Sequence, residues 1–90
     1  MKVTDVRMVL APKADAERGL FAYVSFRLDR VQVDGVTLRR TRGGELRLVF
    51  PARRDRRGRS HPFLWPIDAA TRRAIEAQVF AALGLAEGGP

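Results

Sequence analysis

Cysteine and asparagine are absent from the 90 residues, and there is a single histidine, His61. Without cysteine the chain has no disulfide framework and no thiolate metal site, and one histidine alone cannot hold a metal ion. Two serines are present, but the acidic residues are scattered and mostly offset by nearby arginines, so no nucleophile and base can be paired. We therefore expect that the protein is not an enzyme. We also expect it to bind no metal, no other cofactor and no small-molecule substrate.

Long apolar runs are also missing. The chain has no stretch of about 18 consecutive apolar residues, the length that a membrane-spanning helix needs. The N-terminal residues MKVTDVRMVL carry Asp5 and Arg7 where a signal peptide needs an apolar core. We therefore expect a soluble, cytoplasmic protein with no membrane insertion. With 90 residues, it is expected to form a single small domain, residues 1–90.

Positive charge is abundant but confined to one part of the chain. Between residues 39 and 59, nine arginines face only two acids, Glu45 and Asp55. The remaining basic and acidic residues balance, so the formal net charge of +7 arises from this segment. Clustered cations add their fields over a Debye length, about 10 Å in 0.1 M salt. Such a segment is typical of a surface that binds a polyanion, although arginine also serves simply to keep a surface solvated.

Alternating apolar and polar residues predict the first two strands. Residues 2–10 and 20–28 alternate in this way, and the polar segment 11–19 between them is expected to be a loop. In residues 20–28 the even positions are apolar, so we expect them to face the core of an antiparallel sheet. The odd positions, which include Phe21 and Tyr23, are expected to point away from it.

The third strand contains a change of parity. Apolar residues occupy odd positions before Gly35 and even positions after it. A two-residue hairpin at Asp34-Gly35 would explain this switch, but it would leave strands of only about three residues on each side. We favour one long strand with a glycine bulge. After a turn at residues 39–44, residues 46–50 are expected to form the next strand.

Proline and arginine dominate the following segment. Residues 52–60 contain no apolar residue larger than alanine and are expected to form a solvated, mobile basic loop. Pro62 and Pro66 cannot donate to a strand ladder, so residues 61–66 are expected to be an edge strand or an extended arm. Within this arm, Trp65 is expected to be a core or subunit contact, with base stacking as the alternative.

One helix is predicted near the C-terminus, with Asp68 as its N-cap and Gly84 just beyond its end. Phe80 lies about 140° around this helix from Ile75, so the apolar stripe is not expected to bury it. The fold class is α+β, an antiparallel sheet of about four to five strands with one C-terminal helix packed on it, and residues 85–90 are expected to be a flexible tail. The stripe consists of Thr71, Ile75, Val79, Ala82 and Leu83.

Five motifs occur in a fixed order within residues 1–83. They are the opening KVTDVR, turn glycines before the strand end Phe50-Pro51-Ala52-Arg53-Arg54, the Gly58 loop, the pair Pro66-Ile67, and the helix start Asp68–Thr71-Arg72. In this order they resemble the stage V sporulation protein G (SpoVG) family. The resemblance implies a small α+β homodimer that binds DNA and RNA and acts in septation, cell division, sporulation or transcription regulation. This chain departs from the family pattern by having arginine at positions 56, 57 and 59, which favours stronger phosphate binding.

Seven arginines are the predicted nucleic-acid contacts, because the planar guanidinium binds phosphate through two hydrogen bonds. Arg72 and Arg73 lie in the first turns of the helix, where the macrodipole disfavours a cation. We expect them to be exposed and to form an anion cradle with free helix N–H groups, unless Arg72 lays its stem over the core. The predicted contacts are Arg53, Arg54, Arg56, Arg57, Arg59, Arg72 and Arg73.

The expected partners are DNA, RNA or both, and a second copy of the chain. Phe80, the outward residues Phe21 and Tyr23, and the arm around Phe63 and Trp65 have no obvious partners in a monomer, which favours a homodimer. The alternative partner is an acidic protein, in which case the chain is a basic adaptor, structural or ribosome-associated protein.

Overall fold

The computed structural model describes residues 1–85. A four-stranded antiparallel sheet has the order β1-β2-β3-β4, and a separate two-stranded sheet pairs β5 with β6. This is the α+β fold, with an antiparallel sheet and one C-terminal helix, that the sequence predicts. The elements are β1 (Val3–Leu10), α1 (Lys13–Glu17), β2 (Leu20–Leu28), β3 (Val31–Arg40), β4 (Leu46–Val49), β5 (Ala52–Arg54), β6 (Ser60–Pro62) and α2 (Ala69–Leu83).

A glycine bulge interrupts the pairing of β2 with β3. Val24 pairs with Val36 and Phe26 with Val33, which leaves one extra residue on β3 between these two pairs. Gly35 lies in that gap with a φ of +76°, a conformation that side chains rarely adopt. One long third strand with a glycine bulge is therefore confirmed.

A second bulge changes the direction of Phe21. Leu20 pairs with Arg39 and Ala22 with Leu38, so Phe21 has no residue opposite it on β3. A bulge re-aims a side chain, and Phe21 packs against the core while the Arg40 guanidinium lies 5.0 Å from its ring centroid. The expectation that Phe21 points away from the core is wrong, whereas Tyr23 is exposed as expected.

The core lies between the sheet and α2. Phe80 is only 1% exposed, so the expectation that the helix leaves it without a core partner is wrong. The buried helix face contains Ile75, Glu76, Val79 and Phe80; it is wider than the predicted stripe and rotated toward Phe80. The buried apolar residues are Ala22, Val24, Phe26, Val33, Val36, Leu38, Leu46, Leu48, Phe50, Ile75, Val79 and Phe80.

Both ends of α2 follow from local sequence. Asp68 Oδ1 accepts a hydrogen bond of 2.7 Å from the Thr71 N–H, which confirms the N-cap. At the other end Gly84 adopts a φ of +72°, and the Leu85 N–H donates to the Phe80 carbonyl at 2.8 Å. This pattern is a Schellman motif. It ties Leu85 to the helix, whereas the rest of the expected tail, residues 86–90, lies outside the described residues.

Polar side chains of α2 bind both edges of the sheet. On β4, the Leu48 N–H donates to Glu76 Oε2 at 2.9 Å, and Arg72 Nη1 donates to the Leu48 carbonyl at 2.9 Å. On β1, the Val3 N–H donates to Gln78 Oε1 at 2.9 Å. Unpaired strand edges recruit other strands, so these bonds protect the sheet as well as fixing the helix.

Two segments expected to be loops contain regular structure. Residues Lys13–Glu17 form a single helical turn, α1, and residues 52–62 form a β-hairpin from β5 and β6. Neither helix among residues 1–85 has the length and apolarity needed to cross a lipid bilayer.

Replacing Glu76 with alanine is expected to lower the free energy of unfolding by about 1–3 kcal/mol, because the buried Leu48 N–H and the Arg72 guanidinium lose their shared acceptor. Urea denaturation followed by circular dichroism measures this change. Glu17→Ala, at an exposed position of α1, is the matched control and should stay within about 0.5 kcal/mol of the parent. Equal stability of the two variants would contradict the role of Glu76.

Candidate nucleic-acid interface

The residues with the highest density of arginine form a β-hairpin, residues 52–62, which we call the basic hairpin. Ala52 pairs with Pro62, Arg53 with His61, and Arg54 with Ser60. At its base the Phe63 N–H donates to the Pro51 carbonyl at 2.9 Å, next to the end of β4. The expectation of a loop without structure over residues 52–60 is therefore wrong.

The turn of the basic hairpin is built from Asp55 and Gly58. The Gly58 N–H donates to the Asp55 carbonyl at 3.0 Å, and the Asp55 N–H donates to the Arg59 carbonyl at 2.9 Å. Gly58 has a φ of +77°. Aspartate at the first position and glycine at the fourth are the residues that such a turn favours. This spacing is the sequence signal for the hairpin turn, and the expectation of a solvated loop did not take it into account.

The carboxylate of Asp55 organises the turn from inside. It accepts hydrogen bonds from the N–H groups of Arg57 (2.8 Å) and Arg59 (2.9 Å), and His61 Nε2 lies 2.8 Å from its Oδ2. The hydrogen bond with His61, followed by the one from Arg59, lowers the pKa of Asp55. The carboxylate of Asp55, the acidic residue of the hairpin, is therefore already hydrogen-bonded within the turn.

The five arginines of the basic hairpin are all exposed. Arg54 Nη1 donates to the Gly58 carbonyl at 3.0 Å, and Arg59 Nε lies 3.6 Å from Asp55 Oδ2. Within residues 1–85, the side chains of Arg53, Arg56 and Arg57 make no hydrogen bond or ion pair with the protein. The hairpin thus presents guanidinium groups on an ordered backbone, with three of them uncommitted.

The two helix arginines occupy different environments. Arg73 is exposed, whereas the side chain of Arg72 is 33% exposed and lies 3.5 Å from Glu76 in addition to its bond with Leu48. The expectation that Arg72 is largely exposed is wrong, because it joins α2 to β4. Its role as a nucleic-acid contact stays a prediction.

A cleft of about 190 Å³ lies between β4 and the first turns of α2. Arg72 and Arg73 line it together with Arg47, which is not among the seven arginines predicted from the sequence to contact nucleic acid. Glu45, whose Oε2 is 3.1 Å from Arg47 Nη2, lines the same cleft. The structure therefore brings the helix arginines together with a sheet arginine, and no arginine of the basic hairpin lines this cleft.

The N-terminus of α2 already has an anion of its own. The hydrogen bond from Thr71 lowers the pKa of Asp68, so its carboxylate is charged at neutral pH and takes the Thr71 N–H. An external phosphate would meet this carboxylate at the same position. The expectation of an anion cradle that uses free helix N–H groups is therefore wrong for the Thr71 N–H, which already donates to Asp68.

Apolar side chains are exposed on the arm between β6 and α2. Trp65 is 58% exposed and Ile67 and Phe63 are more exposed still. Residues 61 and 62 belong to the edge strand β6, whereas residues 63–66 are in no strand and the chain bends at Phe63 and Leu64. Trp65 does not belong to the core of one subunit. Its environment leaves a subunit contact or base stacking open.

Comparisons with protein-family models, with curated proteins and with solved structures found no match. Among residues 1–85, no three His, Cys, Asp or Glu side chains are grouped closely enough to hold a metal ion.

The order of the hairpin turn is expected to depend on the charge of Asp55. Because its pKa in the folded hairpin lies below the unfolded value, the charged carboxylate stabilises the turn at every pH above the unfolded value. This contribution is lost as the pH falls through the folded pKa. The amide chemical shifts of Arg57 and Arg59, followed by NMR during acid titration, should move with a midpoint below that of an ordinary aspartate. A midpoint at or above the ordinary value would contradict the hydrogen bonds assigned to Asp55.

Proposed function

We propose that this protein binds DNA or RNA through the basic hairpin and is not an enzyme. The observation that carries the proposal is the placement of five exposed arginines on an ordered ribbon whose single aspartate is occupied in the turn. A two-stranded β-ribbon fits the major groove of duplex DNA, which is about 12 Å wide. Arginine side chains on one strand and in the turn of such a ribbon, as in β5 and residues 55–59 here, can reach the phosphates that border the groove.

The cleft beside α2 supplies a second set of contacts in this proposal. Arg73 is exposed there without an ion pair among residues 1–85, and Arg47 borders it from β4. Both arginines stand on regular elements and can therefore fix the orientation of the nucleic acid, whereas Arg56, Arg57 and Arg59 lie in the turn outside β5 and β6 and contribute mainly to affinity. Arg72 contributes by holding the cleft together through Glu76 and by the positive charge it adds.

The biological role we propose is regulatory, in bacterial septation, sporulation or gene expression. It rests on the motifs that resemble the SpoVG family, and it implies a cytoplasmic protein, since that is where bacterial nucleic acid is found. An acidic protein partner would find the same arginines, but a protein surface offers no regular spacing of charge for the ribbon to follow. Binding to an acidic protein that is indifferent to added DNA would favour this alternative.

Binding to duplex DNA should weaken steeply with salt. If each subunit of a dimer neutralises about four phosphates, the slope of log affinity against log salt is expected to be roughly −7. Replacing Arg56, Arg57 and Arg59 with glutamine should reduce the slope by up to about 3 per subunit and weaken all sequences alike. Fluorescence anisotropy over a salt series measures both quantities.

A charge-matched variant separates the hairpin from the net charge. Lys13, Arg18 and Arg30 are exposed and lie outside the hairpin and the cleft. Their replacement with glutamine removes the same number of charges and should leave the slope close to that of the parent. Equal losses in the two triple variants, or no binding at low salt, would contradict the proposal.

The protein is expected to be a homodimer. Phe63, Trp65 and Ile67 are each more than half exposed on one short arm, and exposed apolar groups that cluster in this way favour an interface. Sedimentation equilibrium should give twice the chain mass of 10.1 kDa. Replacing Trp65 and Ile67 with serine should shift the mass toward the monomer, and a parent protein that is monomeric at micromolar concentration would contradict the expectation.

A further inference from the structure

The face of the four-stranded sheet opposite α2, which we call the outer face, has an aromatic residue at its centre. The strand register places Val9, Tyr23, Thr37 and Val49 opposite one another across all four strands. Neighbouring strands lie about 4.8 Å apart, so this row is about 14 Å long. Tyr23 is 46% exposed, and both valines of the row are exposed as well. The outer face therefore offers an exposed aromatic ring with a valine beside it on β1, and a threonine and then a valine on its other side, on β3 and β4.

Arginines border this row on both sides. Arg39 and Arg47 are directly opposite each other in the next cross-strand pair, and Arg7 pairs with Ser25 on the other side of the row. Like charges in direct cross-strand pairs destabilise a sheet, so Arg39 and Arg47 break a local rule of sheet stability. Rules of this kind are most often broken at functional sites.

Acidic residues only partly neutralise these arginines. Glu45 lies 3.1 Å from Arg47, and Asp5 lies 3.6 Å from Arg7. Arg39 has no ion pair among residues 1–85. Both ion pairs are exposed, and exposed ion pairs contribute little to stability, so a polyanion can compete for Arg47 and Arg7.

We propose that the outer face binds single-stranded nucleic acid, with a base stacked on Tyr23 and backbone phosphates on Arg39 and Arg7, which border the row on opposite sides. The proposal rests on the nucleic-acid binding proposed above and names a second contact surface and the form of nucleic acid that it takes. Unpaired bases stack on exposed aromatic rings of open sheets, whereas the bases of a duplex are already stacked on one another and unavailable. Stacking is tolerant of sequence because every base has a flat π-face.

Charge decides between a nucleic acid and a second copy of the chain on this face. Two copies placed face to face would bring their arginine borders together, and like charges across an interface oppose association. A nucleic acid supplies the opposite charge at the border and a planar apolar group at the centre. The arginines at the border and the aromatic ring at the centre therefore both favour a nucleic acid over a second copy of the chain.

The test compares Tyr23→Ala and Tyr23→Leu with the parent protein, using labelled oligothymidine and oligouridine of about 20 nucleotides, longer than a typical single-strand site. Affinity for a labelled duplex is measured in parallel. Leucine keeps apolar packing in the sheet, so thermal denaturation should show Tyr23→Leu close to the parent even where Tyr23→Ala loses stability. Both variants should bind the single strands roughly five- to a hundred-fold more weakly, with duplex affinity changed less than two-fold.

Val31→Ala is the matched control, because Val31 is an exposed apolar residue of the same sheet that lies outside the row of Tyr23 and outside the arm. It should leave single-strand affinity unchanged. The inference is overturned if Tyr23→Leu binds single strands like the parent, or if Val31→Ala weakens single-strand binding as much as Tyr23→Leu does. In either case duplex binding that still depends on the hairpin arginines would leave the proposed function standing. Absence of binding to every nucleic acid would overturn both.

Discussion

The position of α2 beneath the sheet is the constraint on which the rest of the structure depends. Its apolar face supplies Ile75, Val79 and Phe80 to the core, and its polar side chains hold the two outer strands. Glu76 accepts the Leu48 N–H on β4, and Gln78 accepts the Val3 N–H on β1. A small sheet cannot satisfy its own edges, and a helix that reaches both of them stabilises a domain with a modest core. The same arrangement leaves the opposite face of the sheet open to solvent.

The basic hairpin solves a different problem, that of presenting many like charges on an ordered backbone. An isolated two-stranded hairpin is only marginally stable in water, and repulsion between arginines opposes it further. Asp55 offsets this by accepting from two backbone N–H groups and lying beside His61, and Gly58 allows the turn to close. Because one aspartate stabilises the turn from within, the arginines around it remain available to a ligand.

Local sequence patterns were sufficient at two positions where a single residue determines the backbone conformation. Gly35 marked the bulge in β3, and Asp68 marked the start of α2. Features that depend on packing against distant elements were not predictable. The burial of Phe80 and the bond from Arg72 to β4 both depend on how the helix is rotated against the sheet, which no stripe of apolar residues fixes to within one position. The turn at Asp55 was predictable from the spacing of Asp55 and Gly58, but the high charge of the neighbouring residues favoured the prediction of a solvated loop.

The most direct test of the account is an NMR titration of the isotope-labelled protein with a short DNA duplex at low salt. If the hairpin binds DNA, the amide signals of Asp55 to Arg59 and the side-chain signals of the hairpin arginines should shift first and most. The signals of buried residues such as Val36 and Val79 should stay in place, since the fold does not change. Absence of any shift, or shifts confined to residues outside the hairpin, would contradict the assignment of the hairpin as the nucleic-acid contact.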